Sequence, residues 1–172
     1  MASIGHVAIG MAAARVFTRR QARASRVASM VLWSLLSMAP DADVIGFFFG
    51  VRYGDPWGHR GATHSIAVAV LCGAALAAVA RMRGVAAGRT ALLSAAVVAS
   101  HGLLDTLTDG GLGIALFWPF DDTRYFAPWT PIPVSPILLG FLSPRGLKVA
   151  LTELVLFAPV FAFALWPRRS RY

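Results

Sequence analysis

The sequence predicts an all-α membrane protein that crosses the bilayer about five times as one domain. Three observations support this prediction: 57% of the 172 residues are hydrophobic, only 14% are charged, and the basic residues cluster between apolar runs. Soluble globular chains contain roughly 45–50% apolar and about 25% charged residues. The composition therefore excludes an ordinary soluble enzyme, and the length corresponds to about one domain.

Apolar runs between basic clusters place the predicted helices. The five predicted spans are residues 2–17, 27–39, 65–80, 90–108 and 147–166. Glycine and alanine are frequent in these runs, as at 10–14 and 73–75, which favours close packing of helices in lipid. The alternative is that these small residues simply fill helices.

The distribution of arginines predicts the orientation. Eleven of the sixteen basic residues lie in two predicted loops, in the carboxyl-terminal tail, or at the end of the first span. They are Arg15, Arg19, Arg20, Arg23, Arg26, Arg81, Arg83, Arg89, Arg168, Arg169 and Arg171. Because basic residues concentrate in cytoplasmic loops, we expect these ends inside a bacterial inner membrane and the opposite ends toward the periplasm.

Residues 110–144 differ from the spans, because they hold six of the ten prolines. Proline interrupts helices, and aromatic side chains such as Trp118, Trp129 and Phe126 prefer the boundary between membrane and water. We expect this segment to form an irregular cap over the outer face, with a short apolar helix around 137–142.

The net charge of +8 does not indicate nucleic-acid binding, because the arginines are not interleaved with aromatics on a solvated face. The single cysteine, Cys72, excludes a disulfide framework and a thiolate zinc cluster. A metal site in this chain would have to use histidine and carboxylate.

Every histidine lies in a short polar block at the predicted outer end of a span. At 1.5 Å per helical residue, blocks from four spans would reach a similar depth, slightly below the outer interface. Ionisable groups at such depth are costly and are therefore functional candidates. The predicted metal ligands are His6, Asp41, Asp43, His59, His64, His101 and Asp105.

The spacing of these residues suits metal binding. His101 and Asp105 are four apart, so they share one helical face, and Asp109 extends that face if the helix continues. Pro40 is expected to end the second span, so that Asp41 and Asp43 project together from an extended turn. A divalent cation would make the buried carboxylates and imidazoles compatible.

Each of these residues also has a purely structural interpretation. His6 could be a packed histidine, Asp41 and Asp43 could cap a turn, and His59 could be solvated in the outer loop. Thr63 and Ser65 fit a cap of the third span better than a nucleophile.

Three residues are candidates for catalysis. Asp43 or Asp109 could accept a proton from water. Arg60 is either an anchor for a lipid headgroup or a clamp that neutralises oxyanion charge on a phosphate.

These blocks resemble the LexA-regulated, inner-membrane-associated metal-dependent hydrolases of bacteria. The matching motifs are Gly5-His6, Pro40–Asp43, His59–Ser65, His101–Asp105 and Pro119-Phe120. A fainter similarity, an early histidine followed by Pro-Asp, links the chain to zinc-dependent phospholipase C. The resemblance implies a membrane-embedded hydrolase that uses a divalent metal, and it favours a lipid phosphoester as the substrate.

The expected function is metal-dependent hydrolysis of a membrane lipid or lipid-linked ester, with one or two ions of zinc or, if carboxylates dominate, manganese. The alternative is a metal-ion or proton transporter that uses the same cluster. Five spans without a repeat are an awkward basis for alternating access. A purely structural scaffold would leave the clustered histidines unexplained.

Overall fold

The computed structural model of the chain describes residues 3–18 and 23–167. Within these ranges the chain forms six α-helices and three 3₁₀ helices. The α-helices are α1 (Ser3–Phe17), α2 (Arg23–Met38), α3 (Ile66–Met82), α4 (Ala87–Asp105), α5 (Pro144–Leu156) and α6 (Ala158–Leu165). The 3₁₀ helices are Ala39–Phe49, Ala62–His64 and Leu138–Leu142. Of the predicted cytoplasmic arginines, Arg19, Arg20, Arg168, Arg169 and Arg171 lie outside the described residues.

The all-α prediction is confirmed for the part of the chain that the structure describes. Its only β-type pairings are two isolated bridges, Thr108 with Ile132 and Ile114 with Tyr125. Except for Thr108, which ends the predicted span 90–108, these residues lie in the predicted cap. The cap is irregular apart from the 3₁₀ helix Leu138–Leu142, near the expected short helix at 137–142.

The predicted count of five spans is higher than the structure supports. Two described helical stretches, Ser25–Phe49 with 25 residues and Ala87–Asp105 with 19, are long and apolar enough to cross a bilayer. Helices α5 and α6 would make a third span if counted together. Helices α1 and α3 are apolar but shorter, with 15 and 17 residues.

The last predicted span, 147–166, is bent by 60° between α5 and α6. Pro159 lies in the first turn of α6. Proline has no N–H to donate and its ring crowds the preceding turn, so α5 cannot continue through this point. A hydropathy pattern alone does not show such a break, because every residue around Phe157 is apolar.

Small residues let the helices approach closely. Helix α1 packs against α2, α3 against α4, and α6 along α1. A Cβ atom on Gly73 would lie 2.6 Å from the carbonyl oxygen of Ala91, and one on Gly10 would lie 2.4 Å from the Cα of Ser34. Both glycines are therefore required for packing, rather than serving as helix filler.

We expect Gly73→Leu to destabilise the protein by about 1–3 kcal/mol, because the added atoms would separate α3 from α4. The matched control is Gly88→Leu in α4, since a Cβ at Gly88 meets nothing within 4 Å. Thermal unfolding in detergent measures both variants. Equal unfolding midpoints for the two would contradict the close contact of α3 with α4.

Candidate metal centre

Four structural elements bring the predicted ligands to one end of the helix bundle. His6 lies in the first turns of α1, and His101 and Asp105 lie in the last turns of α4. Asp41 comes from the 3₁₀ helix after α2, and His64 ends the short 3₁₀ helix before α3. Residues from distant parts of the sequence therefore meet at one end of the helix bundle.

The sequence predicted that Asp41 and Asp43 project together from an extended turn. The structure shows a different arrangement. Pro40 occupies the first turn of the 3₁₀ helix Ala39–Phe49, where its missing N–H is not needed. A 3₁₀ helix has three residues per turn, so residues two apart point in different directions. Asp41 approaches Nε2 of His64 at 3.5 Å, whereas Asp43 lies 3.3 Å from Nδ1 of the same ring.

Four side chains form the main candidate site: Asp41, His64, His101 and Asp105. Oδ1 of Asp41 lies 3.2 Å from Nε2 of His101 and 3.5 Å from Nε2 of His64. Oδ2 of Asp105 lies 3.8 Å from Nε2 of His64 and 3.9 Å from Nε2 of His101. The four ligand atoms therefore surround a common point.

These separations fit a small divalent ion. Ligand atoms 2.0–2.1 Å from zinc at tetrahedral angles lie about 3.3–3.4 Å apart. Nε2 of His64 is buried and makes no hydrogen bond among the described residues. The side chains of His64, His101 and Asp105 are fully buried, and that of Asp41 is 23% exposed. Two carboxylates whose ligand atoms lie within 4.8 Å of one another are stabilised by a neighbouring cation.

The two imidazole ligands are held in the orientation that metal binding requires. Nδ1 of His101 lies 2.7 Å from the carbonyl oxygen of Ser37, to which it can only donate. Nδ1 of His64 faces Oδ2 of Asp43 at 3.3 Å. Because a neutral imidazole carries one proton, a donor at Nδ1 leaves the lone pair of Nε2 for an ion.

Asp43, His59 and His64 form a second group that could hold an ion. It shares His64 with the first group, and one neutral imidazole cannot offer lone pairs from both nitrogens. Asp43 already accepts from Thr63 Oγ1 at 2.8 Å and from the backbone N–H of Arg60 at 3.2 Å. Its other oxygen lies 2.7 Å from Nδ1 of His59. This carboxylate is therefore placed to orient two histidines, and the geometry favours one ion at the four-residue group.

His6 lies beside the four-residue group without belonging to it. Its ring stacks on that of His101 with centroids 3.6 Å apart. Its Nε2 lies 3.3 Å from Oδ1 of Asp105, the oxygen that does not face the other ligands. A role of His6 as a ligand remains a prediction from the sequence.

Arg60 is buried beside the candidate site in a strained conformation. Its side chain is almost fully enclosed, its Nε lies 3.6 Å from Oδ2 of Asp105, and its Nη1 donates to the carbonyl of Gly110 at 2.8 Å. Its φ angle of 66° is left-handed, which is unfavourable for a bulky residue. The backbone is held there because the Arg60 carbonyl accepts from Ala115 N–H at 3.1 Å.

The structure does not bring Asp109 into either group. Helix α4 ends at Asp105, so the expected extra turn is absent. The exposed carboxylate of Asp109 instead accepts from the backbone N–H of Val134 at 2.7 Å.

Three contributors to the site were not singled out for it from the sequence. The Ser37 carbonyl accepts from Nδ1 of His101, and the Thr63 hydroxyl donates to Asp43. Residue spacing does not predict these contacts, although Thr63 adjoins His64. A Cβ on Gly102 would lie 2.2 Å from the carbonyl of His64, so this glycine lets α4 approach the His64 segment; its place next to His101 was the available signal. Ser65 caps α3 as predicted, accepting from Val68 N–H at 3.1 Å.

The electrostatics of His64 show how strongly this region attracts positive charge. Burial by itself lowers the pKa of His64, but the neighbouring carboxylates of Asp41 and Asp43 outweigh it and raise the pKa to about 9. In the absence of another cation, the ring holds a proton at neutral pH. Metal binding at Nε2 would therefore release that proton.

Comparison with known proteins identifies the family of the chain. A model of the YdjM inner membrane protein family matches residues 1–170. The chain belongs to this family. It is also 43% identical over 124 residues to the inner membrane protein YbcI of Escherichia coli (strain K12), a match that covers 70% of this chain and 71% of the relative. No solved structure matches. The predicted inner-membrane class is supported by these findings.

We expect Asp105→Asn to bind far less divalent metal than the parent, because the substitution removes one ligand charge while preserving side-chain shape. Asp109→Asn, which alters an exposed carboxylate outside both groups, should retain full stoichiometry. Elemental analysis of the purified proteins measures both, together with His101→Ala as a second ligand variant. Unchanged metal content in Asp105→Asn and His101→Ala would exclude the four-residue group as the binding site.

Proposed function

We propose that the protein is a membrane-embedded metal-dependent hydrolase that cleaves a lipid or lipid-linked ester, with a phosphoester preferred. The observation that carries the proposal is the four-residue group of Asp41, His64, His101 and Asp105, with the enclosed Arg60 guanidinium beside it. Two imidazoles with two carboxylates suit zinc, with manganese as the alternative.

Asp41, His64, His101 and Asp105 would hold the divalent ion, which when bound would supply a Lewis acid for the scissile ester. Arg60 offers a positive charge in a nearly water-free setting, where it can stabilise an oxyanion. A guanidinium matches a phosphate geometrically, which is the reason to prefer a phosphoester. Oδ1 of Asp43 lies 2.7 Å from Nδ1 of His59. The pair is therefore suited to accept a proton from water.

The proposed substrate comes from the membrane because the 3₁₀ helix that carries Asp41 and the cap both expose aromatic side chains. Phe48 and Phe49 of the 3₁₀ helix after α2 are strongly exposed, as are Phe120 and Trp129 of the cap. Aromatic residues of this kind favour the membrane interface. A lipid could keep its tails in the bilayer while its polar linkage reaches Asp41.

We also propose that the protein is a multi-pass protein of the bacterial inner membrane with its site toward the periplasm. The arginine asymmetry supports this orientation. The described loop between α3 and α4 carries Arg83 and leads to Arg89, at the ends of these helices that lie away from His64 and His101.

We expect the purified, metal-loaded protein to hydrolyse a lipid phosphoester in a screen of lipid substrates. Asp105→Asn should lose most turnover because it loses a metal ligand. Trp129→Ala should act mainly on KM, since this exposed residue affects access rather than the transition state. The control is Asp122→Asn, an exposed cap residue that should keep full activity.

A fully active Asp105→Asn variant would contradict this assignment. A metal-loaded protein that cleaves no lipid but moves ions across liposomes would instead identify the cluster as a transport site.

The orientation is tested by cysteine labelling with a membrane-impermeant reagent in a Cys72→Ser background. We expect Asp122→Cys in the cap to react in intact cells, and Val85→Cys in the loop between α3 and α4 to react only after permeabilisation. The reverse pattern would place the site on the cytoplasmic side.

A further inference from the structure

An apolar groove runs along α2 toward the candidate metal centre. It has a volume of about 460 Å³ and lies between α1 and α2, with Leu165 of α6 at its edge. Its α2 residues include Val27, Val31, Leu35 and Met38. Among the described residues that line the groove, Ser34 is the one polar side chain, and its hydroxyl donates to the Val7 carbonyl at 3.2 Å. The groove therefore offers hydrocarbon contacts alone.

The helical face that lines the groove leads to Asp41, one of the candidate metal ligands. Ser25–Phe49 is one continuous helical stretch, and positions 27, 31, 34, 38 and 41 are spaced by four and three residues, so they form one face. Met38 and Asp41 are three apart at the start of the 3₁₀ helix, where side chains three residues apart are aligned. The face that lines the groove therefore continues directly to Asp41.

Asp41 also marks the open side of the site. Its side chain is 23% exposed, while those of His64, His101 and Asp105 are fully buried. A substrate would therefore reach the four-residue group past Asp41, the residue to which the face of α2 that lines the groove leads.

The length of the groove matches one leaflet of a membrane. Val27 and Met38 are about 17 Å apart along the helix at 1.5 Å per residue. Half of the hydrocarbon core is about 15 Å thick. Val27 lies about 21 Å from Asp41 by the same rise, so a tail of about 15 Å that begins at the depth of Asp41 would extend along the groove to about Val31.

We propose that this groove binds one hydrocarbon tail of the lipid substrate and so positions the ester of that lipid beside Asp41. The inference rests on the proposed hydrolysis and deepens it, because it defines the substrate as a lipid with a tail about as long as one leaflet. The groove then selects the tail, whereas Arg60 and the metal ligands act on the polar linkage.

The probe is a phosphatidylglycerol with a diazirine in one acyl tail, added to vesicles of phosphatidylglycerol and phosphatidylethanolamine that hold the purified protein. After illumination, mass spectrometry should find tail adducts concentrated on α2 residues of the groove, at least about tenfold above the Leu71 region of α3. Leu35→Trp fills the groove and should remove most of these adducts.

The matched control is Leu32→Trp. Leu32 lies on the same helix and is 66% exposed, close to the 60% of Leu35, but it does not line the groove. This variant should label like the parent. Metal content confirms that both variants fold, and Val31→Phe provides a second, milder filling of the groove.

In the hydrolysis assay, Leu35→Trp should lower kcat/KM for a long-tailed substrate by about tenfold or more, with Leu32→Trp unchanged. If neither Leu35→Trp nor Val31→Phe changes hydrolysis or labelling, the groove does not bind the tail. That result would leave the proposed hydrolysis intact. A disulfide-linked dimer through Val31→Cys, with no tail adducts on α2, would assign the groove to a second copy of the chain and overturn the inference. Absence of any hydrolysis by the parent would contradict the proposed function itself.

Discussion

The buried carboxylate of Asp105 needs a positive partner, and much of the site is arranged around that need. Oδ2 of Asp105 faces His64, His101 and Arg60, while Oδ1 faces His6. Removing such a carboxylate from water is costly unless cations and hydrogen bonds compensate. A divalent ion between Asp105 and Asp41 would neutralise both carboxylates and leave each histidine neutral.

The fold provides this arrangement through close contacts at one end of the bundle. Gly102 lets α4 approach the His64 backbone, and the Ser37 carbonyl at the end of α2 fixes the ring of His101. The cap contributes as well, because Arg124 donates to the carbonyl of His59 at 3.1 Å. The strained backbone of Arg60 is maintained by contacts on both sides, which is typical of functional positions. The packing of α4, the segment that contains His59 and Arg60, and the cap therefore all position the same few side chains.

The sequence predicted the membrane class and most of the cluster because both depend on residue type and spacing. His101 and Asp105 share a helical face in any α-helix, and histidines confined to a few polar blocks indicate a common site. The different directions of the Asp41 and Asp43 side chains could not be predicted, since they depend on a 3₁₀ helix where an extended turn was expected. The bend before α6 and the carbonyl of Ser37 are tertiary features that leave little trace in composition or periodicity. Asp109 was misplaced because helix α4 ends one turn earlier than the pattern indicated.

We infer that two imidazoles and two carboxylates bind one divalent ion. Zinc K-edge X-ray absorption spectroscopy of the purified, zinc-loaded protein can identify these ligands. The account predicts nitrogen and oxygen ligands alone, at about 2.0–2.1 Å, with the scattering signature of two imidazoles and the loss of one in His101→Gln. A sulfur ligand at about 2.3 Å, which only cysteine or methionine could provide, or an unchanged imidazole count in His101→Gln, would contradict it.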